Sequence, residues 1–320
     1  MAISILHFSD FHLDGEHINE AKNLLTFMCN SLKEKKGLID LIVFTGDMIN
    51  KGGHGFGSID EAFKKFEEIV ITKLCETLSL SKERFIFVPG NHDIDQKAIP
   101  RYGDKEIDED FNLGEEYVFN FMKESDVERY TERMKAVKTF EKEYYTSLYT
   151  QDTYSYNRFQ SNFKLDINGI KVGITSLNTI WRSGVDDEGK IVLGLCQIND
   201  SVPFINDCQI KIAATHYRYD KLKEFERDSL KKRLADEYDV FLSGHTHSNH
   251  VEFVYESNGN FFLDVNTSGS LTNNEFKDDD KHRNAYQIIT IYPNEKVEAY
   301  VYRQMDGSRF YQDKNCLVLI

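Results

Sequence analysis

The sequence predicts an α/β protein, and three observations carry that prediction. Short apolar, β-rich runs at residues 3–8, 41–45 and 85–88 alternate with two amphipathic helical stretches in a βαβαβ order. A second β-rich part opens with runs at 163–167 and 170–177 around Asn168-Gly169, a strong short-range hairpin signal. Finally, the strand-like runs end in Asp, Asn or His clusters, where the α/β arrangement puts its chemistry.

Taken in order, the run 3–8 ends in Ser9-Asp10-Phe11-His12. Over 17–36, Ile18, Ala21, Leu24, Leu25, Met28 and Leu32 recur at helical spacing, and Gly37 supplies the stop. The run 41–45 breaks at Gly46-Asp47 and a glycine-rich loop follows. Ser58 then caps a helix reaching about residue 80, with Ala62, Phe63, Phe66, Ile69, Val70 and Leu74 on one face. The third run, 85–88, stops at Pro89-Gly90 and delivers Asn91, His92 and Asp93. Residues 94–163 read as a helical insertion, with helices over 115–123 and 127–149 and nearly half of the tyrosines. It is either a solvated excursion or a cap whose tyrosines stack on a base. Strands at 210–215 and 239–242 end at His216 and at Gly244-His245-Thr246-His247, with a helix over 222–238 between them. The tail reads as a meander of strands at 250–256, 261–265, 285–292 and 296–302, with turns at Asn258-Gly259 and Pro293-Asn294. One domain over 1–320, with the insertion at 94–163 inside it, is the expected organisation.

Composition limits the function classes. With 40% apolar and 29% charged residues over 320 positions, a globular chain with a sizeable core is expected. A net charge of −14 argues against a nucleic-acid footprint over the whole surface, although a local basic groove or bound cations reverse the sign locally. Cys29, Cys75, Cys196, Cys208 and Cys316 are scattered, without metal-site spacing, and read as reduced core residues. The start MAISILHF has no basic n-region, and no apolar run approaches the roughly 20 residues of a membrane helix. A cytoplasmic protein with no membrane partner follows. The apolar end at 316–320 suits a closing strand, a partner or a further domain of a longer protein.

The strand-end groups are Asp10 and His12, Asp47, Asn91 and His92, His216, then His245 and His247. Singly, each has a structural explanation as a turn residue, a cap or a satisfied core histidine. Together, two carboxylates, several imidazoles and an amide are costly as isolated buried polar groups, whereas two divalent cations would satisfy them all.

This order, DFH, GD, GNHD, TH and GHTH, resembles the D-x-H, G-D, G-N-H-D/E, lone-H and G-H-x-H motifs of the calcineurin-like metallophosphoesterase superfamily, from residue 3 to about residue 270. The resemblance implies a four-layer α-β-β-α sandwich of two packed mixed β-sheets flanked by helices. It also implies a dinuclear centre in which Asp10, His12 and His247 hold one ion, Asn91, His216 and His245 hold the other, and Asp47 bridges them. The implied cofactors are two divalent transition-metal ions, manganese first, with iron, zinc or nickel as alternatives. The resemblance further implies that His92, not a ligand, is the catalytic residue, protonating the leaving oxygen or stabilising transition-state charge while a metal-bridging hydroxide attacks in line.

Departures from the family pattern narrow the reaction. Phosphoprotein phosphatases of the superfamily read G-D-x-x-D-R-G and G-N-H-E, whereas residues 46–52 here are GDMINKG and Asp93 replaces Glu. Many members read H-H-P at the fourth motif, and here Thr215-His216-Tyr217 keeps only the first His. The expected activity is that of a phosphodiesterase acting on a nucleotide or nucleic acid. Two alternatives stand beside it. One is a DNA exo- or endonuclease resembling the DNA-repair phosphoesterases, served by Arg218, Lys221 and Lys223 near His216. The other is an interaction module on the hydrolase fold within a larger assembly.

Overall fold

The computed structural model describes residues 2–99, 104–124, 127–184, 187, 189–267, 284–293, 296–304 and 309–313. Strand β1 (Ile3–Phe8) leads through helix α1 (Ile18–Leu32) to β2 (Leu41–Phe44), then through α2 (Ile59–Phe66) and α3 (Thr72–Leu78) to β3 (Phe85–Phe87). Next come α4 (Asp104–Phe111), α5 (Glu115–Lys123), α6 (Val127–Thr131) and α7 (Lys135–Thr146). The second β-rich part comprises β4 (Tyr154–Tyr156), β5 (Ser161–Ile167), β6 (Ile170–Ser176), α8 (Cys196–Ile205), β7 (Ile210–Ala214), α9 (Glu224–Glu237) and β8 (Val240–Ser243). It continues with β9 (His250–Tyr255), β10 (Phe261–Asn266), β11 (Ala285–Tyr292), β12 (Lys296–Gln304) and β13 (Phe310–Gln312).

Among the described residues these strands form two mixed sheets, ordered β13-β12-β11-β1-β2-β3 and β4-β5-β6-β7-β8-β10-β9. β1, β2 and β3 are parallel to one another, as are β6, β7, β8 and β10, and the outer strands are antiparallel. This is the expected α/β architecture of two mixed sheets flanked by helices. The central parallel strands are buried along almost their whole length, which explains why they read as continuous apolar runs rather than alternating ones.

Local chemistry explains the element ends. Ser58 Oγ accepts the Glu61 N–H at 3.1 Å, the helix cap expected there. Asn168 and Gly169 both take left-handed backbone, with φ of 56° and 80°, as a two-residue hairpin needs. The helix expected to reach residue 80 does run from Ile59 to Leu78, but through a widened turn at Glu67–Ile71. The long helix expected over 127–149 is broken by a tighter turn at Glu132–Met134. The tail is not one meander: β9 and β10 join the second sheet, while β11 and β12 return to the first, where β11 pairs with β1.

The tyrosines of the 94–163 segment are largely committed to packing. Phe140 stacks on Phe63 and Phe87 with centroids at 5.2 and 5.4 Å, and Tyr145 Oη accepts the Phe87 N–H at 2.8 Å. Tyr144, Tyr145 and Tyr154 are buried, whereas Tyr117 and Tyr156 are exposed. Cys29, Cys75, Cys196 and Cys208 are free thiols, while Cys316, Asn294 and the apolar end at 316–320 lie outside the described residues. Among the described residues no helix is long and apolar enough to cross a membrane.

Candidate metal centre

Every predicted site residue lies just past the carboxyl end of a parallel strand: Asp10 and His12 after β1, Asp47 after β2, Asn91 and His92 after β3, His216 after β7, His245 and His247 after β8. The backbone there is left-handed, with φ of 56° at Asp10, 47° at His12, 60° at Asp47, 65° at His245 and 51° at His247. That conformation costs a non-glycine residue on the order of 1 kcal/mol or more. Glycine would relieve the strain but could not supply the functional group.

Hydrogen bonds between loops hold the strand ends in register. The Asp10, His12 and Leu13 N–H groups donate to Gly46, Asp47 and Met48 carbonyls at 2.8, 2.9 and 3.0 Å, so the first two loops run side by side. Buried Asp93 accepts from Asp47 N, Ile49 N and Gly90 N at 3.1, 3.0 and 2.8 Å, tying the third loop to the second. Burial pushes its carboxyl up to about 7. Gly90 sits so close to Asp47 that a Cβ would lie 2.1 Å from Asp47 N, and one on Gly46 would lie 2.4 Å from His216 Nδ1. Both glycines are therefore required for close approach.

Asp10, His12 and His247 present atoms within 4.8 Å of one another, as do His12, Asp47 and His92, and Asp10, Asp47 and His216. Shared members make these one cluster. Asp47 Oδ2 lies 3.6 Å from His12 Nε2 and 3.5 Å from His216 Nε2, and Asp10 Oδ1 lies 3.4 Å from His247 Nε2. Asn91 Oδ1 is 2.8 Å from His216 Nε2, whose ring is oriented by Nδ1 donating to Thr45 O at 2.8 Å. His245 stands further out. Its N–H donates to Asp10 Oδ2 at 3.1 Å, and its ring lies 5.1 Å from that of His216 and 4.1 Å from that of Tyr217. His92 lies against His12, with centroids at 4.4 Å, and its N–H donates to Asp47 Oδ1 at 2.7 Å.

The electrostatics suit cations. Burial, reinforced by neighbouring imidazoles, pushes His92 down to about 4 and His245 to about 3, and His12 and His216 also fall. Neutral imidazole is the form that ligates a metal. Burial and the charges of Asp10 and Asp93 push Asp47 well above the usual carboxylate range. Burial also works against ionised Asp10, but His247, whose Nε2 lies 3.4 Å from Oδ1, and the other surrounding imidazoles carry it below that range. Asp10 Oδ1 and His12 Nδ1 are buried without a hydrogen-bond partner. A stranded buried polar group costs about 1–3 kcal/mol, which a cation on Asp10 Oδ1 would relieve. Atoms sharing an ion at about 2.1 Å stand about 3 to 3.5 Å apart, close to the spacings here. The donor set therefore fits divalent cations.

Two supporting residues, Asp14 and Thr45, were not foreseen. Asn50 Oδ1 lies 3.2 Å from His92 Nδ1, and Asn50 Nδ2 donates to Asp14 Oδ2 at 2.7 Å. Asp14 also faces His54 Nδ1 at 3.1 Å. The run D-F-H-L-D offers a weak signal for Asp14, while nothing in the sequence announces Thr45, which acts through its carbonyl. Of the basic residues beside His216, Arg218 is committed to Asp264 and Glu252, at 2.6 and 2.7 Å, and buried Lys223 donates to Asn112 at 2.8 Å. Lys221 remains exposed. A second cluster, His250, Glu252 and Asp264, already holds a cation, the Arg218 guanidinium.

Comparisons with known proteins give the family. The family model for calcineurin-like phosphoesterases matches residues 3–249. The uncharacterized metallophosphoesterase-like protein YydB of Bacillus subtilis (strain 168) is 21% identical over 286 residues, covering 86% of this chain and 55% of its own. The chain thus spans about half the length of the curated relative it matches. In fold, it is similar to a purple acid phosphatase from yellow lupin (Lupinus luteus) seeds, with a TM-score of 0.54, 13% identity and coverage of 98% of this chain and 53% of that one. It is also similar to a dimetal phosphatase from Danio rerio, with a TM-score of 0.51, 10% identity and coverage of 97% and 98%. With the family model spanning all five motif blocks and the two sheets arranged around them, the chain belongs to the calcineurin-like phosphoesterase family.

Proposed function

We propose that the chain is a metal-dependent phosphodiesterase acting on a nucleotide or nucleic acid. The observation that carries this reading is the position of Asp47, whose Oδ2 faces His12 Nε2 at 3.6 Å and His216 Nε2 at 3.5 Å. One carboxylate thus adjoins two donor groups. In this reading Asp10, His12 and His247 hold one divalent transition-metal ion, Asn91, His216 and His245 hold a second, and Asp47 lies between; manganese is the expected metal. Ions so held would lower the pKa of water and neutralise phosphoryl charge.

The protein's own groups supply orientation and proton transfer. Asn50 engages His92 Nδ1, which leaves Nε2 to exchange a proton with the leaving oxygen or to stabilise its charge. A diester is favoured over a phosphoprotein because Asn50 and Lys51 stand where the protein phosphatases carry Asp and Arg. In the same reading residues 1–320 form one domain, with 94–163 inserted beside the site; the Asp95 N–H, donating to Arg133 O at 2.8 Å, supports that placement.

The test is hydrolysis of bis(p-nitrophenyl) phosphate by metal-stripped protein supplied with Mn²⁺, Ni²⁺, Zn²⁺ or Mg²⁺. Activity is expected with Mn²⁺, a fall in kcat on the order of 10²- to 10⁴-fold for His92→Ala, and loss for Asp47→Ala. Full activity in Asp47→Ala would defeat the reading.

A further inference from the structure

Beside the metal cluster lies a cavity of about 530 Å³ whose wall carries Asn91 and His245 together with Tyr217, Lys221 and Arg227. A space of that size takes a nucleotide-sized group. Among the described residues its carboxylates have partners: Asp187 accepts from Tyr217 Oη and, at 2.6 Å, from Gly184 N, and Asp220 faces Arg218 Nη1 at 3.6 Å. Its cations are differently placed. Arg227 is steadied by Nε donating to Leu222 O at 2.8 Å, and among the described residues neither Arg227 nor Lys221 is paired with a carboxylate.

We infer that this cavity is a second anion subsite, and that the substrate carries a further phosphate beside the diester that is cut. The inference rests on the phosphodiesterase reading above. Asn91 and His245 belong both to the metal cluster and to the cavity wall, so a group seated there adjoins the reacting phosphorus. A guanidinium and an ammonium on one wall match a phosphate, the first as a fork of donors and the second as a point charge. On a chain of net charge −14, such a local pair is what would hold a polyanion near the site. Two sources carry this chemistry, a polynucleotide with its neighbouring phosphate and a mononucleotide diester with a separate terminal phosphate.

The experiment compares kcat/KM for thymidine 3′-(p-nitrophenyl phosphate) with and without a 5′-phosphate, and for trithymidylate against dithymidylate. The added phosphate is expected to raise kcat/KM about tenfold or more, mainly through KM, since charge-assisted hydrogen bonds to both cations would hold it. In the double variant Lys221→Ala/Arg227→Ala that ratio should fall to near one. Lys22→Ala/Lys64→Ala, which removes the same charge at exposed positions elsewhere, should keep it. A gain confined to the 5′-phosphorylated mononucleotide identifies a nucleotide substrate, and one confined to trithymidylate identifies a polynucleotide; either supports the subsite. A wild-type ratio near one for both pairs, or a ratio that survives in Lys221→Ala/Arg227→Ala, overturns the inference while leaving diester hydrolysis intact. If bis(p-nitrophenyl) phosphate is not cleaved with any metal, the proposed function fails instead. The subsite is then read by calorimetry on the metal-loaded protein. Thymidine 3′,5′-bisphosphate should bind about tenfold tighter than thymidine 3′-phosphate in wild type but not in the double variant, and equal wild-type affinities overturn the inference.

Discussion

At the residue scale, His92 Nδ1 has two neighbours, Asn50 Oδ1 at 3.2 Å and the Lys51 N–H at 3.3 Å. Asp14 decides between them. Its carboxylate only accepts, so the Asn50 amide must turn its NH₂ toward Asp14 and its oxygen toward His92, which assigns the Nδ1 proton to His92. An amide orients the ring without adding the charge that would raise its pKa. Asn50→Ala is therefore expected to lower kcat by about tenfold or more with little change in KM, and Asp14→Ala to act in the same direction but less. An unchanged kcat in both variants, measured on bis(p-nitrophenyl) phosphate, would remove the pair from the reaction. The eight candidate site residues could be singled out in the sequence because Asp, Asn and His at successive strand ends are chemically conspicuous. Asp14 was legible only weakly, because its partner Asn50 lies 36 residues away and local spacing carries no trace of that contact.

At the element scale, strands and helices were legible where a continuous apolar run or a 3.6-residue period ends in Gly, Ser or Pro, as from β1 through β3. Helix α8 was not, because Pro203 lies inside it and breaks the usual signal. Nor does a local pattern say which sheet a strand joins, which is why the pairing of β11 with β1 escaped the reading. The loop before α8 is pinned by a buried residue of α9, Glu226, which accepts the Leu193 and Gly194 N–H groups at 2.7 and 2.6 Å. Burial pushes this carboxyl from 4.5 to about 7. Between those values the unfolded chain has lost the proton and the folded one keeps it, so this group's contribution to stability is full below 4.5 and is lost as pH rises to about 7. The slope is at most about 1.4 kcal/mol per pH unit. Glu226→Gln cannot titrate. Its urea stability relative to wild type should therefore improve between pH 5 and pH 7.5, roughly the window in which wild type loses this contribution. A gap that does not move with pH would show that Glu226 is ionised in the folded state throughout.

At the scale of the whole molecule, the two sheets meet through a buried polar relay that reaches the loops of the candidate site. Gln287 on β11 accepts from His7 Nδ1 at 3.2 Å and donates to Asn266 O at 3.0 Å and Asn249 Oδ1 at 3.1 Å, so one side chain spans both sheets. Burial pushes His7 down to about 3, which keeps it neutral and lets its Nε2 accept from Thr45 Oγ1 at 3.0 Å. Thr45 in turn orients His216 through its carbonyl, and Asn266 Nδ2 donates to Thr246 Oγ1 and Ser248 O in and just after the loop that carries His245 and His247. The relay thus couples the packing of the sheets to the placement of site residues contributed by the second sheet. Gln287→Leu, which keeps the volume and removes the polar atoms, leaves His7 without its partner and Asn266 O without this donor. Each stranded buried group costs about 1–3 kcal/mol, so a loss of roughly 3 kcal/mol in urea unfolding is expected. The same change should weaken Mn²⁺ binding by about tenfold or more, as loss of groups that orient metal ligands does. The two readouts separate the roles of the relay. A fall in stability with unchanged Mn²⁺ affinity would mean that Gln287 joins the sheets without positioning the site, and no change in either would remove it from both.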